Sequence, residues 1–202
     1  MTNVKSPKTA RGRVIEDPGI ARFLFSDVRF SWVWLVVRIW VGYQWIQASL
    51  HKIADPGWVQ TGTALAGFWK GAVTVSASGK SNIAFDWYSS FLTFLLNNHA
   101  YTWFGKLIAY GEFMVGVGLI VGAFVGIAAF FGALMNWNFI MAGSASTNGF
   151  LLVLGIFLVL AWKTAGYIGV DYFLLRWLGV PWTGGEENEQ AISPALAPKA
   201  GK

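Results

Sequence analysis

The sequence predicts an all-α integral membrane protein: a four-transmembrane-helix antiparallel bundle with a long outer loop that carries two short helices. Two observations predict this fold class. The chain of 202 residues is 55% hydrophobic and only 12% charged, whereas a soluble domain carries about 25% charged residues. Four apolar runs approach or exceed the ~20 residues that cross a bilayer. These runs cover residues 31–53, 103–124, 126–143 and 149–165.

The chain begins with a basic tail, residues 1–29, which fixes the predicted orientation. Six basic residues lie in this tail, against two in the outer loop of residues 54–102. The positive-inside rule therefore places the N-terminus in the cytoplasm. Four spans return the C-terminus to the same side, so the membrane domain covers residues 30–180. Residues 181–202, acidic and then rich in Pro and Ala, are predicted to be a disordered cytoplasmic tail.

The basic tail contains the segment "GIARFLFSD", which fits two structures equally well. Its apolar residues are spaced as in a short amphipathic helix that lies in the membrane surface. An extension of the first span explains the segment as well.

The first span contains a charged residue, Arg38, within the run "VWLVVRIWVGYQWIQASLHK". A charge at the centre of a span costs from about 2.5 to over 10 kcal/mol, so it usually faces a bundle interior or a cavity. At 100° per residue, one face of this helix carries Arg38, Gly42, Trp45, Ser49 and Lys52. The opposite face carries Gln44, Gln47 and His51. The first span thus has two polar faces, and the second of them needs another partner.

The outer loop is too long and too aromatic to be structureless. Helical apolar spacing occurs in "PGWVQTGTALAGFWKGA" and in "NIAFDWYSSFLTFLLNN". We therefore expect two short helices on the outer face of the bundle, joined by a turn at "SASGKSN".

The second and third spans add the other intramembrane polar groups. Glu112 lies about 13 Å below the outer end of the second span, and Arg38 about 10 Å above the cytoplasmic end of the first. An ion pair between them is the least costly way to hold both charges in lipid. Three glycines on one face of the second span, Gly111, Gly118 and Gly122, predict the close approach of another helix. Asn136 lies near the middle of the third span.

Two interpretations fit these three polar groups. The first is a structural clasp that fixes the register of the helices. The second is a site, in which Glu112 and Arg38 are catalytic and Asn136 and Trp45 bind a cofactor. A quinone fits such a site, since it needs an apolar slot and a few hydrogen-bonding groups near a carboxylate.

The outer end of the bundle carries four basic side chains that predict a second, anion-binding site: Lys52, His51, His99 and Lys106. Together they would attract a small anion. Alternatively, the lysines only snorkel to the interface and the histidines lie in interfacial water, with a haem or metal site the less common reading. We predict no metal.

Several classes of function are excluded or unsupported. The chain has no cysteine, which excludes disulfides, thiolate nucleophiles and cysteine-bound iron–sulfur clusters within it. Its basic residues form no stripe of the kind that binds nucleic acid, and neither a phosphate loop nor an H-E-x-x-H motif occurs.

Three motifs resemble the DoxX/DoxD family of membrane proteins over residues 30–180. The first, "RIWVGYQWIQASLHK", carries Arg38, Gly42, Trp45 and Lys52. The second, "GEFMVGVGLIVG", has Glu112 followed by spaced glycines, and the third is "AGYIGVDYFLLRW". The resemblance implies a four-helix membrane bundle. The DoxD branch is associated with thiosulfate:quinone oxidoreductase, which joins two thiosulfates as tetrathionate, passes two electrons to quinone and works with a second subunit.

We therefore expect a membrane subunit of a sulfur-compound (thiosulfate):quinone oxidoreductase in the inner (plasma) membrane. Its partners would be the lipid bilayer, a second protein subunit or further copies of itself, and a small anionic substrate. The alternative is a non-enzymatic scaffold or assembly subunit of a larger complex. A small transporter is less favoured, because four helices with one buried pair leave little room for a water path.

Overall fold

The computed structural model describes residues 17–75 and 82–178, and within these ranges the protein is all-α, as predicted. The expectations for residues 1–16, 76–81 and 179–202 fall outside the described residues. The helices, in chain order, are α1 (Gly19–Ser26), α2 (Ser31–Ala54), α3 (Pro56–Val59), α4 (Thr63–Val73), α5 (Asp86–Asn97), α6 (Tyr101–Val121), α7 (Val125–Met141), α8 (Asn148–Leu160), α9 (Trp162–Gly166) and α10 (Asp171–Trp177).

The four predicted spans correspond to α2, α6, α7 and the consecutive helices α8 and α9. By length and composition alone, α6 is the one described helix that is long and apolar enough to cross a membrane. The shorter helices α7 and α8 are also apolar. Helices at these positions are therefore confirmed, and their passage through a bilayer stays a prediction.

Helices α2 and α6 are antiparallel and approach closely at two glycines. A Cβ added to Gly42 would lie 2.9 Å from the Gly116 carbonyl oxygen, and one added to Gly116 would lie 2.9 Å from the Gly42 carbonyl oxygen. Neither helix has room for a larger residue there. Of the glycine face predicted for the second span, Gly111 and Gly118 face α7, where added Cβ atoms would meet Met135 and Ala128, whereas the close approach to α2 uses Gly116.

The main core fills the space between α2, α6, α7, α8 and α9. It includes the buried side chains of Trp34, Val41, Trp45, Val115, Leu119 and Leu158. Gly155 of α8 faces Ala133 of α7, which lets these two helices pack side by side.

The second helix predicted in the outer loop is confirmed as α5, whereas the first predicted segment is divided into α3 and α4, with Gly62 at φ +73 between them. Helices α4 and α5 pack on each other. They share a second core with the ends of α6 and α7, centred on Leu65, Trp69, Tyr88 and Leu92. The Tyr88 hydroxyl donates to the carbonyl oxygen of Asn138 at 3.0 Å, which ties α5 to α7. The hairpin of α4 and α5 is therefore packed onto the bundle.

Helix α1 is separate from α2 and folds back against the bundle, so the segment "GIARFLFSD" forms a short helix of its own. The indole of Trp34 donates to the Leu24 carbonyl oxygen at 2.7 Å, and the Thr164 hydroxyl donates to the Phe25 carbonyl oxygen at 3.0 Å. Asp27 ends the helix and accepts from the Arg29 amide. The hydrogen-bonded guanidinium of Arg29 holds the pKa of the Asp27 carboxyl below its usual value.

Candidate functional site

Most of the buried ionic and amide side chains of the bundle form two separate groups. We call Lys52, Glu112 and Asn136 the polar layer. We call Arg38, Asp171 and the backbone groups that they bind the Arg38 clasp. Glu112, Asn136, Arg38 and Asp171 are each at most 1% exposed.

The polar layer contains an ion pair that differs from the predicted one. Glu112 Oε2 accepts from Lys52 Nζ at 2.7 Å, so the predicted Arg38–Glu112 pair is wrong. The reason is the register of α2 and α6, because the contact at their glycines sets Arg38 level with Ile120. That level lies eight residues, or about 12 Å, along the axis from Glu112.

Lys52 is held firmly in this pair. Its ammonium lies 5.3 Å from the ring centre of Trp58 and 5.8 Å from that of Phe139. Its side chain is 17% exposed, against 1% for Glu112. The pair therefore links a buried carboxylate to the surface of the bundle.

Three atoms of the polar layer are buried without a hydrogen-bond partner: Oε1 of Glu112 and both polar atoms of the Asn136 amide. Leaving a buried polar group unsatisfied costs about 1–3 kcal/mol, and native proteins contain few such groups. An apolar residue of similar shape would avoid this cost, so the three atoms favour a ligand-binding role for the polar layer.

Asn136 lies beside the ion pair because of its place on α7. Gly132, one turn away on the same face, contacts Val115 and the indole of Trp45; its added Cβ would lie 3.1 Å from Trp45 Nε1. Phe139, one turn in the other direction, lies under Lys52. Glu112 is one turn from Val115 on α6. The structure thus brings together four of the predicted site residues: Glu112, Asn136, Trp45 and Lys52.

The other predicted outer residues do not join this group. His51 and Lys106 are exposed, and a ring nitrogen of His99 lies 2.8 Å from the Tyr101 hydroxyl. No hydrogen bond or ion pair within the described residues connects them to Lys52, whose charge Glu112 already balances. The anion site stays a prediction. Residues 17–75 and 82–178 contain no group of three or more His, Cys, Asp or Glu that could hold a metal ion.

The Arg38 clasp lies at the C-terminal end of α6. The Arg38 guanidinium donates to the carbonyl oxygens of Leu119, Ile120 and Ile168. The last carbonyls of a helix have no partner within the helix, and a cation is favourable at that end of the helix dipole. Gly122, at φ +73, makes room, since an added Cβ would lie 2.8 Å from the guanidinium.

Asp171 completes the clasp by capping α7, a role that sequence reasoning missed. Its two carboxylate oxygens accept from the amides of Phe124 and Val125 at 2.7 and 2.8 Å. Its own amide donates to the Gly122 carbonyl oxygen at 2.8 Å. The available signal was a single carboxylate within the apolar segment "AGYIGVDYFLLRW". For Arg38, these contacts favour the structural interpretation over the catalytic one.

A long apolar groove runs beside the polar layer. Its volume is about 850 Å³, and α4, α5, α6 and α7 line it. Along α7 it extends from Phe124 to Ala142, which is about 27 Å at 1.5 Å per residue. Among the described residues that line it, none is charged. Phe139 lines the groove and its ring also lies 5.8 Å from the Lys52 ammonium, so it forms part of the wall between the groove and the polar layer.

Comparisons with protein-family models, with curated proteins and with solved structures find no match for this chain. The DoxX/DoxD resemblance stays a prediction that rests on the three motifs.

The Lys52–Glu112 pair predicts a specific pattern of stabilities. Lys52→Met leaves Glu112 as an unpaired buried charge, which is expected to cost about 3–5 kcal/mol. Glu112→Leu is expected to cost less, because Lys52 is partly exposed and can extend toward water. The double variant should recover much of the larger loss. Thermal unfolding in detergent measures all three.

The matched control is the pair Arg38 and Glu112. Since the structure separates them, the losses of Arg38→Met and Glu112→Leu should add within about 0.5 kcal/mol. Strong coupling of Glu112 to Arg38, with none to Lys52, would contradict the arrangement of the polar layer.

Proposed function

We propose that this protein crosses the inner (plasma) membrane of a bacterium or archaeon four times, with both termini in the cytoplasm. Support comes from apolar side chains that are exposed on the sides of all four long helices, among them Val36, Leu107, Ile127, Phe131, Val153 and Ile156. A soluble monomer rarely exposes so much contiguous apolar surface. Helices α8 and α9 together extend about 28 Å, close to the ~30 Å hydrocarbon core.

The proposed orientation predicts the result of cysteine labelling. Because the chain has no native cysteine, a cysteine introduced at Ser78 in the outer loop should react with an impermeant thiol reagent in intact cells. A cysteine at Ser6 should react only after the cells are opened. Labelling of Ser6→Cys alone in intact cells would reverse the orientation.

Within this membrane protein, the polar layer is the proposed binding site for the head group of a quinone. The observation that carries this proposal is the set of three unpartnered polar atoms of Glu112 and Asn136, buried beside an apolar groove. A quinone accepts two electrons and two protons when it is reduced. The Asn136 amide is suited to donate a hydrogen bond to a carbonyl oxygen, and the free oxygen of Glu112 is suited to exchange a proton.

The other residues of the layer would support these two. Lys52 balances the charge of Glu112 from the surface side and leaves its second oxygen free. Trp45 lies with its indole Nε1 against Gly132, one turn of α7 from Asn136. In this proposal Arg38 holds the bundle together and does not contact the quinone.

The electron donor is proposed from the DoxX/DoxD resemblance. Thiosulfate, or a related sulfur compound, would be oxidised at the outer face, and the protein would act as the membrane subunit of a sulfur-compound:quinone oxidoreductase. Because this chain has no cysteine, it offers no thiolate or cysteine-bound cluster for the electrons. A second protein subunit is therefore the proposed source of the sulfur chemistry.

The direct test is an assay of the purified protein, with and without its co-purifying chains. We expect thiosulfate-dependent quinone reduction when the second subunit is present. If every preparation binds quinone but none oxidises thiosulfate, the quinone site is supported and the sulfur substrate is refuted.

The alternative function is a scaffold or assembly subunit, and one observation favours it. Gln47 and His51 lie on the exposed side of α2, where polar side chains in a bilayer need another chain as a partner. A scaffold would co-purify with a large complex, bind no quinone and lose that complex when Gln47→Leu is introduced.

A further inference from the structure

The apolar groove has the shape of a site for a chain, and it leads to the polar layer. It follows α7 for almost the whole length of that helix. Exposed apolar side chains of α6 and α7 border its opening, so in the proposed membrane orientation the groove opens to lipid. A cavity of about 850 Å³ lies within the usual range for bound organic ligands. The compact ring of a head group would leave most of this length unfilled.

We propose that the groove holds the polyprenyl chain of a membrane quinone, with the head group directed through the α6–α7 seam toward Glu112 and Asn136. This inference rests on the proposed function of the polar layer. Continuity between the two regions supports it, since Phe139 lines the groove and its ring also faces Lys52 of the polar layer. The absence of charged side chains from the described lining favours a polyprenyl chain over a phospholipid, whose phosphate would require a cation.

The seam between the groove and the polar layer includes Gly111 of α6 and Met135 of α7, which both line the groove. Gly111 immediately precedes Glu112 and lines the groove; an added Cβ there would meet only the sulfur of Met135, at 4.0 Å. Methionine is flexible and adapts to irregular apolar ligands. Gly111 and Met135 are therefore specificity-determining residues for the chain-bearing ligand.

Gly111 can be substituted without a steric clash at Cβ. Gly111→Leu places a branched side chain in the groove, and leucine favours a helix over glycine by nearly 1 kcal/mol. The variant should therefore fold. Leu134→Trp narrows the same groove from α7, where Leu134 is partly exposed. The matched control is Gly67→Leu, at an exposed glycine of α4 with nothing within 4 Å of an added Cβ.

The experiment compares two probes in one detergent: a dimethoxybenzoquinone that carries two isoprene units, and the same ring without them. Binding is followed by quenching of tryptophan fluorescence. For each protein we divide the affinity for the isoprenyl probe by the affinity for the bare ring. The quotient is this ratio in the wild type divided by the same ratio in a variant. The partition of the isoprenyl chain into detergent is the same in both and cancels. Burial of a few CH₂ groups at about 0.8 kcal/mol each predicts a quotient of at least about tenfold for Gly111→Leu and Leu134→Trp. Gly67→Leu should give a quotient near one.

The outcomes separate this inference from the proposed function. If both probes bind and the quotient stays near one for both folded groove variants, the polyprenyl groove is refuted and the quinone site survives. If neither probe binds the wild type, the proposed function itself fails and takes the groove with it. A phospholipid that co-purifies in the groove and is lost from Gly111→Leu would also overturn the polyprenyl assignment.

Discussion

Glu112→Gln is expected to lower thiosulfate-dependent quinone reduction by about 10²–10⁴-fold, the usual effect of removing a general acid–base group. Glutamine keeps the size of the side chain and its hydrogen bonding, but it cannot take up or release the proton that quinone reduction requires. The protein should still fold, because Lys52, left without its counter-charge, is partly exposed. The measurement is the reduction rate of the purified complex, with the melting temperature as a check on folding.

The control for this prediction is Asp86→Asn, which removes an exposed carboxylate from the start of α5. It should leave the rate unchanged. A folded Glu112→Gln protein that reduces quinone at the parental rate would move the site away from the polar layer. The next candidates are then Gln44, Gln47 and His51 on the other face of α2.

Arg38→Met is expected to lower the free energy of unfolding by about 3–5 kcal/mol, a loss as large as that of Lys52→Met. The substitution leaves three carbonyl oxygens without their donor and removes a positive charge that interacts with Asp171. Arg38→Lys should rescue little of the loss, because a single ammonium lacks the planar fork that bridges carbonyls on two segments. Thermal and denaturant unfolding in detergent measure the effect.

Two comparisons make the stability prediction specific. Arg29→Met removes an exposed arginine whose partner, Asp27, is two residues away, and it should leave the melting temperature close to the parental value. Gly122→Ala should be as harmful as a loss of the clasp, because its positive φ and its contact with the guanidinium both oppose a Cβ. If the Arg38→Met protein melted at the parental temperature, the contacts of Arg38 would not contribute to the stability of the bundle.

Composition and apolar periodicity predicted the all-α fold, the helices at the four apolar runs and the helical outer loop, but not the break that divides its first segment into α3 and α4. They also identified Arg38, Glu112 and Asn136 as buried, since a polar side chain within an apolar run usually faces the interior of a helix bundle. The partner of Glu112 was not predictable in the same way. The register of α2 against α6 depends on where two glycines allow backbones to touch, and no local pattern distinguishes Gly116 from Gly118.

Asp171 illustrates a second limit. Its partners, Phe124 and Val125, contribute only backbone amides, and a backbone group leaves no mark on the sequence. The same holds for the three carbonyls that bind Arg38. Side-chain pairing rules therefore assigned Arg38 to the nearest intramembrane carboxylate, whereas the ends of α6 and α7 supply its real environment.

The Arg38 clasp also has a consequence for biosynthesis. Asp171 lies 46 residues after Val125, whose amide it caps, and a ribosome adding about 5–20 residues per second makes that stretch in about 2–9 s. During this interval the start of α7 lacks its cap and Arg38 lacks the Ile168 carbonyl. A nascent chain that stalls before Ile168 would leave a half-coordinated arginine inside the bundle, at a cost of several kcal/mol. The segment that carries Ile168 and Asp171 thus completes the clasp only after α2, α6 and α7 have been synthesised.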